Sequence, residues 1–415
     1  MDMNLMTGKL YWPTTLAVPP RYPELSDDLL CDVVIVGGGI AGGLCAHYLM
    51  KHDVDVVLIE KGWIGEGSSR ANLGMLQFAN DKSLTSCLRS FGEERGRRFY
   101  QLCRQALDQL EIISRSLTIF PDFQRKDSLY FASQPQEIES LRTEYENLIQ
   151  HGFPVSYWGQ EEIENHFSFS KPAAIYSKGD AQINPYKLTV GLIADAAAQG
   201  MWVYEHTEVV HQKEEAGDML ILTGKGSRIR CKRIVFATGY EAQVLKRNPN
   251  AIRSSTSAIV TKPVKSFLGW PKACLIWETA RPYMYIRANE EGRIIVGGLD
   301  EPNTDPKHRE MTVLSKRDLL LDKVQALFPQ LSLEVEYYWS AAFASTHDGL
   351  PMFGEQENYP NCLFSLGYGG NGTVYSTIGG QIIADLIVKG ENADAALFSF
   401  DRPKFASSAP KPSHF

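Results

Sequence analysis

The sequence predicts an α/β chain. It has a Rossmann-like dinucleotide-binding domain with a parallel central sheet, and an α+β domain with a mostly antiparallel sheet. Three observations carry this. Residues 33–59 read as an apolar strand, a glycine turn, a helix and a second apolar strand, which together make a βαβ unit. From about Asp81 the apolar residues recur at helical spacing. Residues 255–300 hold several short β-like runs, which suit an antiparallel sheet of their own.

The elements follow in order. Pro13, Pro19, Pro20 and Pro23 make the first 30 residues an extended lead-in. Strands are expected at 33–36 and 54–59, with a helix at 40–51 between them. Phe99, Leu102, Cys103, Ala106, Leu110 and Ile113 mark a long amphipathic helix. A strand at 128–132 precedes a helix opened by Pro135 and ending near Gly152. The alanine-rich helix 188–199 is closed by Gly200. Strands are expected at 201–204 and 206–210. A hairpin at 220–222 and 228–231 leads into a strand at 234–237. Further strands fall at 258–261, 283–287 and 293–296. A glycine-rich loop at 367–372 precedes an apolar helix carrying Ile378, Ile382, Ile383, Leu386 and Ile387. The Pro/Ser-rich tail, 402–415, is expected to fray.

The 415 residues allow two or three domains at ~150 residues each. With 42 basic and 49 acidic residues and no long basic run, nucleic acid and anionic membrane are poor partners. The seven cysteines form no CxxC pair and no zinc spacing, so no metal site is expected; free buried thiols imply a reducing, cytoplasmic setting. The N-terminus lacks the pattern of a signal peptide. Residues 33–50 contain one titratable side chain, His47, but their glycines fit a phosphate-binding turn better than a membrane span, so no transmembrane segment is expected.

Gly37-Gly38-Gly39-Ile40-Ala41-Gly42 fits G-x-G-x-x-G between a strand and a helix. Gly37 permits the tight turn, Gly39 lets a pyrophosphate approach the backbone, and Gly42 lets the helix pack on the strand. Glu60 closes the second strand, where an acid binds ribose hydroxyls and repels the extra phosphate of NADP. This much suits NAD or FAD. Three further features favour FAD: the small, polar stretch 61–74, the strand running into Thr238-Gly239, and the loop 367–372. The helix after that loop would place its N-terminus beside the N1–C2=O edge of a flavin.

Together these segments resemble the D-amino-acid oxidase superfamily of flavoproteins, and most closely its gamma-glutamylputrescine oxidoreductase type. The resemblance also rests on Tyr11-Trp12-Pro13, Ser69-Arg70-x-Asn72-x-Gly74, Tyr285-x-Arg287, Trp339, Asp348-Gly349-Leu350-Pro351 and Gly354. It implies a discontinuous FAD domain (1–80, 174–245 and 340–400), a substrate domain (81–173 and 246–339) and a tail from 401. It implies cofactor contacts at Gly37, Gly39, Ile40, Ala41, Gly42, Glu60, Lys61, Ser68, Ser69, Arg70, Asn72, Gly74, Met75 and Leu76. The remaining contacts fall at Val209, Ala237, Thr238, Gly239, Gly349, Gly367, Tyr368, Gly369, Gly370, Asn371, Gly372 and Thr373. The chemistry implied is oxidation of the C–N bond of an amine or amino acid, with hydride passing to flavin N5 and the imine hydrolysing in water.

The sequence departs from that pattern in three places. Phe343 stands four residues after Trp339, where many relatives hold the substrate carboxylate with arginine. Neither 340–343 nor 68–74 offers a cysteine or histidine for covalent flavin, so the FAD is expected to be non-covalent. The strand Ile294-Ile295-Val296 lacks the lysine that sarcosine oxidases place over the flavin. Tyr285, Arg287, His347 and Tyr368 are the catalytic candidates, with Tyr283 beside them. Arg287 reads equally as a substrate cation or a structural pair, whereas a loop histidine such as His347 is more often a surface residue or one that supports the site from behind. Tyr283 and Tyr285 share one face of a strand and could line a pocket or merely pack. A hydroxy-acid or glycerol-3-phosphate type dehydrogenase, or a flavin-binding subunit of a hetero-oligomer, are the alternatives.

Overall fold

Leu29–Val36 is the axis of the first sheet in the computed structural model, which describes residues 5–241 and 251–402. Val33 and Ile35 point into one core and Val34 into another, and all three are essentially fully buried. This is why the run is continuously apolar: both faces of a parallel sheet are covered. Val56–Ile59 and Arg228–Phe236 flank it in parallel, and Trp202–Tyr204 and Tyr359–Leu366 extend the sheet on either side, also in parallel. Met352–Gln356 closes one edge antiparallel. Asp218–Thr223 pairs antiparallel with Arg228–Phe236, and Val209–Glu215 in turn pairs with it. The helices Ile40–Leu49, Pro185–Ala198 and Gly372–Val388 cover one face.

The chain leaves Leu29–Val36 toward Val56–Ile59 on one side, while Arg228–Phe236 lies on the other. The carboxyl ends of these strands therefore border a topological switch point, where open α/β sheets bind ligands.

The second sheet has ten strands. Its main path runs Met6–Lys9, Val335–Thr346, Ala251–Thr261, Ile294–Glu301, Met284–Ala288, Leu275–Glu278, Gln124–Phe131, Ala173–Gln182 and Met75–Leu76. Val155–Gly159 pairs with Ala173–Gln182 off this path. One pair, Leu275–Glu278 with Gln124–Phe131, is parallel; the others are antiparallel. The helix Pro306–Leu327 covers one face through Leu320, Val324 and Leu327. The other face looks toward the first sheet.

Several expectations need correction. The lead-in is not merely extended: Met6–Lys9 is a strand of the second sheet, and Trp12 is buried with its Nε1 donating to Asn72 O at 2.6 Å. The strand expected at 206–210 covers only the last two of those residues. His206 has φ +51°, and the strand starts at Val209. The helix Pro306–Leu327 was not foreseen, because Met311, Leu314 and Leu319 are exposed and blur its apolar stripe. Arg402, expected to fray, is anchored by Asp348 (Nε to Oδ2, 2.6 Å) and by the carbonyls of Leu350 and Pro351. The rest of the tail lies outside the described residues. All seven cysteines are free and buried. No helix among the described residues is long and apolar enough to cross a membrane.

Candidate functional site

The fingerprint turn has little freedom. Gly37 adopts φ +116°, and a Cβ there would sit 2.5 Å from Ala237 O on the neighbouring strand. A Cβ at Gly42 would collide with Gly37 O. Glu60 locks the loop: its Oε2 accepts from Gly38 N at 2.7 Å and its Oε1 from Gly62 N at 2.9 Å. The first N–H groups of a helix have no intrahelical acceptor. Here one of them, Ile40 N, donates to Ser69 Oγ at 3.0 Å.

The second glycine loop is pinned from behind. Asn371 Nδ2 donates to Gln77 O at 2.6 Å and to Asn80 Oδ1 at 3.0 Å, and Tyr375 OH donates to the same Asn80 oxygen at 2.9 Å. Gly369 has φ +133°, and a Cβ on Gly370 would sit 2.6 Å from Asp81 Oδ2. Tyr368 is buried and its hydroxyl donates to Gly239 O at 3.0 Å, tying this loop to the Thr238-Gly239 turn.

One continuous cleft, about 1400 Å3 counted out to solvent, joins these parts. Of the expected cofactor residues, Gly39, Ile40, Ala41, Ser68, Ser69, Asn72, Met75, Ala237, Gly239 and the loop from Gly367 to Thr373 line it. Gly37, Gly42 and Glu60 shape the turn from behind. Lys61, Arg70, Gly74, Leu76, Val209, Thr238 and Gly349 are not part of its wall. Arg70 faces Glu66, Leu76 is in the core, and Gly349 packs against the Lys82 side chain.

The cradle fits a dinucleotide. Its two glycine loops exclude side chains where a long cofactor must pass, and each opens a helix whose positive end favours anionic groups. Gln77 Nε2, on the wall of the cleft, has no hydrogen-bond partner within the chain. Such an orphan is expected where a bound group completes the bonding. FAD would be held by residues 39–41, 68–72, 237–239 and 367–373.

The catalytic candidates separate. Tyr285 lines the cleft together with Tyr283, their ring centroids 5.3 Å apart, so the shared face is a pocket wall. Arg287 does not reach it. The side chain is buried, with Nη1 donating to Gly74 O at 2.7 Å and Ile183 O at 2.9 Å and the guanidinium over Trp12. It is structural, stapling the segment after Asn72 to the second sheet. His347 is exposed and outside the cleft. Phe343 lines it, as do Ala341 and Ala342. Ile294, Ile295 and Val296 are fully buried. Among the described residues of the wall there is no lysine, arginine, histidine or cysteine.

Sequence reasoning missed Asp81, Tyr240, Thr256, Trp277 and Asp300. Asp300 had a signal. It follows Gly297-Gly298-Leu299, and glycine inside a strand marks a bulge. The pairing shows one: Ser255 faces Glu301 while Ser257 faces Gly298, so the second strand carries an extra residue. Leu299 takes φ +58° at that point. The bulge rephases the strand and turns Asp300 to the cleft side. Burial chiefly, and then Asp81, push the Asp300 carboxyl up to about 6, against a hydrogen bond with Thr256 and the charges of Arg281 and Lys316, which lower it.

Known proteins place this architecture. The family model described as FAD dependent oxidoreductase matches residues 32–386. Glycine oxidase of Geobacillus kaustophilus is 28% identical over 89% of this chain and 97% of its own. Gamma-glutamylputrescine oxidoreductase of Escherichia coli (strain K12) is 24% identical over 88% of this chain and 85% of its own. The crystal structure of the Geobacillus glycine oxidase superposes with a TM-score of 0.76 at 25% identity, covering 90% of this chain and 99% of that one. From its mononucleotide-binding sheet to its second glycine loop, the chain belongs to the FAD dependent oxidoreductase family and uses FAD.

Proposed function

We propose that this protein oxidises the C–N bond of a small amine or amino acid. One observation carries the reading: the cofactor cradle and an aromatic, acid-bearing chamber are a single cavity. The relatives named for glycine and gamma-glutamylputrescine act on compounds of that class. Bound FAD supplies the acceptor for the hydride leaving the carbon that bears nitrogen. The chain's own part is to orient that carbon and keep the nitrogen lone pair free. Leu73, Trp277, Tyr285 and Phe343 give the chamber low-polarity walls, and desolvation lowers the pKa of an amine. The amine nitrogen also loses a proton; the imine then adds water to give a carbonyl compound and the freed amine.

A phosphate- or carboxylate-bearing alcohol is the weaker reading, because the described wall offers no cation to hold it. With no cysteine or histidine on that wall, the flavin is held without a covalent link; acid precipitation should release all of it into the supernatant. The test of function is anaerobic mixing of the flavin-loaded protein with amines, amino acids and hydroxy acids. Bleaching of the visible flavin band by an amine or amino acid is expected. Bleaching by a hydroxy acid alone would overturn the reading.

A further inference from the structure

The chamber beyond the second glycine loop has a lopsided charge. Asp81 and Asp300 line it, and no described residue of the wall is cationic. They come from distant parts of the chain. Asp81 Oδ2 lies against Gly370, and Tyr283 OH comes close to the same glycine. Asp300 arrives through the bulge at Gly298-Leu299. Its Oδ1 is shielded from solvent and has no hydrogen-bond partner. The cavity exists independently of the two acids, since residues 39–41 and 367–373 line the same cleft.

We infer that the site selects an amine carrying a second ammonium group and no carboxylate, with Asp81 and Asp300 holding that second ammonium. This names the substrate class of the reading above and rests on it. An ammonium near both carboxylates relieves their mutual repulsion and supplies the donor that Asp300 Oδ1 lacks. The faces of Trp277, Tyr283 and Tyr285 suit a cation as well. A carboxylate entering instead would meet two like charges and Phe343. Two cations outside the wall act on Asp300: Lys316, which is paired with Glu301, and Arg281, which lies on the Tyr283 ring at 4.7 Å. Arg281 is exposed and donates from Nη1 to Thr279 O and Ala280 O. Burial already raises the Asp300 carboxyl, and a bound cation would draw it back down.

The test compares 1,4-diaminobutane, 1-aminobutane and 4-aminobutanoate, which share a chain and differ at the far end. The flavin-loaded protein is mixed with each anaerobically and the concentration for half-maximal reduction rate is read. The diamine should need at least ~10-fold less than the monoamine, with 4-aminobutanoate poorest. In Asp81→Asn and Asp300→Asn the diamine-to-monoamine ratio should fall toward one, the visible flavin spectrum showing that the variants are folded and loaded. A rise in melting temperature with 1,4-diaminobutane, present in the parent and lost in the variants, reads binding without turnover. Phe343→Arg should shift preference toward 4-aminobutanoate. If amines bleach the flavin with no preference for the diamine, or the Asn variants keep the parent's ratio, this inference falls alone. If neither these compounds nor glycine bleach it, the amine reading falls with it.

Discussion

At its fingerprint end the cleft is walled by backbone, and at the chamber end by side chains from distant segments. Gly37, Gly39 and Gly42 act by having no side chain, and the groups they offer are N–H bonds and a helix end. In the chamber, Asp81, Trp277, Tyr285, Asp300 and Phe343 come from five separate places in the chain. A backbone site tolerates almost no substitution, because every residue type but glycine adds atoms to it. A side-chain site can exchange one residue at a time and change what it recognises while the frame stays put. The comparison teaches that cofactor and substrate are specified by different means in the same cavity.

The largest effect should come from the backbone end. In Gly42→Ala the new methyl collides with Gly37 O, so strand and helix must separate. We expect about 1–3 kcal/mol of lost stability and FAD affinity weaker by at least ~10-fold, measured by flavin fluorescence and by flavin retained on gel filtration. Gly67→Ala is the control: a Cβ there meets nothing within 4 Å, and its φ of −75° suits any residue. If Gly42→Ala keeps the affinity of Gly67→Ala, the backbone account of this end is wrong.

That difference also governs what the sequence reveals. The fingerprint is contiguous because one turn builds it, so strand, glycines, helix and Glu60 can be read in order, and the cofactor with them. Tyr283 and Tyr285 were legible as one face of a strand because alternation is local. Asp300 was hidden because a bulge breaks the alternation on which such a reading depends. Asp81 was hidden because it acts through Gly370, nearly 300 residues away in sequence. Arg287 misled for the opposite reason: a lone arginine ahead of a glycine turn looks like a substrate cation. Its partners are the carbonyls of Gly74 and Ile183, which no pattern marks.

Buried aspartates sharpen the comparison next. Asp180 is fully buried in the second sheet, where it accepts from Phe78 N and Ser128 Oγ, and it lies outside the cleft. Burial pushes its carboxyl up to about 7, although both hydrogen bonds act to lower it. The folded chain therefore holds a proton that the unfolded chain gives up from about pH 4. Stability should fall as pH rises from about 4 to 7 and level off above that. Asp180→Asn keeps the shape and removes the charge. It should gain about 1–3 kcal/mol over the parent at pH 8, with the gain vanishing near pH 4, by denaturant melts. Amine selectivity should not change, in contrast with Asp300→Asn.

Arg287→Met tests whether that guanidinium belongs to the frame or to the chamber. Gly74 O keeps a donor in Ile183 N, so the acceptor chiefly deprived is Ile183 O. A loss of about 1–3 kcal/mol is expected by denaturant unfolding. The concentration dependence of flavin reduction by amines should stay the same in the folded fraction. A selective rise for carboxylate-bearing substrates would return Arg287 to the substrate side.

The smallest effect should come from a side chain at the backbone end. Ser69 supplies one acceptor, for Ile40 N, and its Cβ stays in place in Ser69→Ala. The loss resembles that of a helix cap, about 1 kcal/mol in the flavin-free protein. With FAD bound, the freed N–H points toward a phosphate-bearing ligand, which can replace the lost acceptor. The stability deficit of Ser69→Ala should therefore shrink when FAD is added, and FAD affinity should change by less than ~10-fold. A deficit that grows with FAD would mean that the Ser69 hydroxyl, rather than the backbone of 68–72, holds the cofactor, and that this end of the cleft too is specified by side chains.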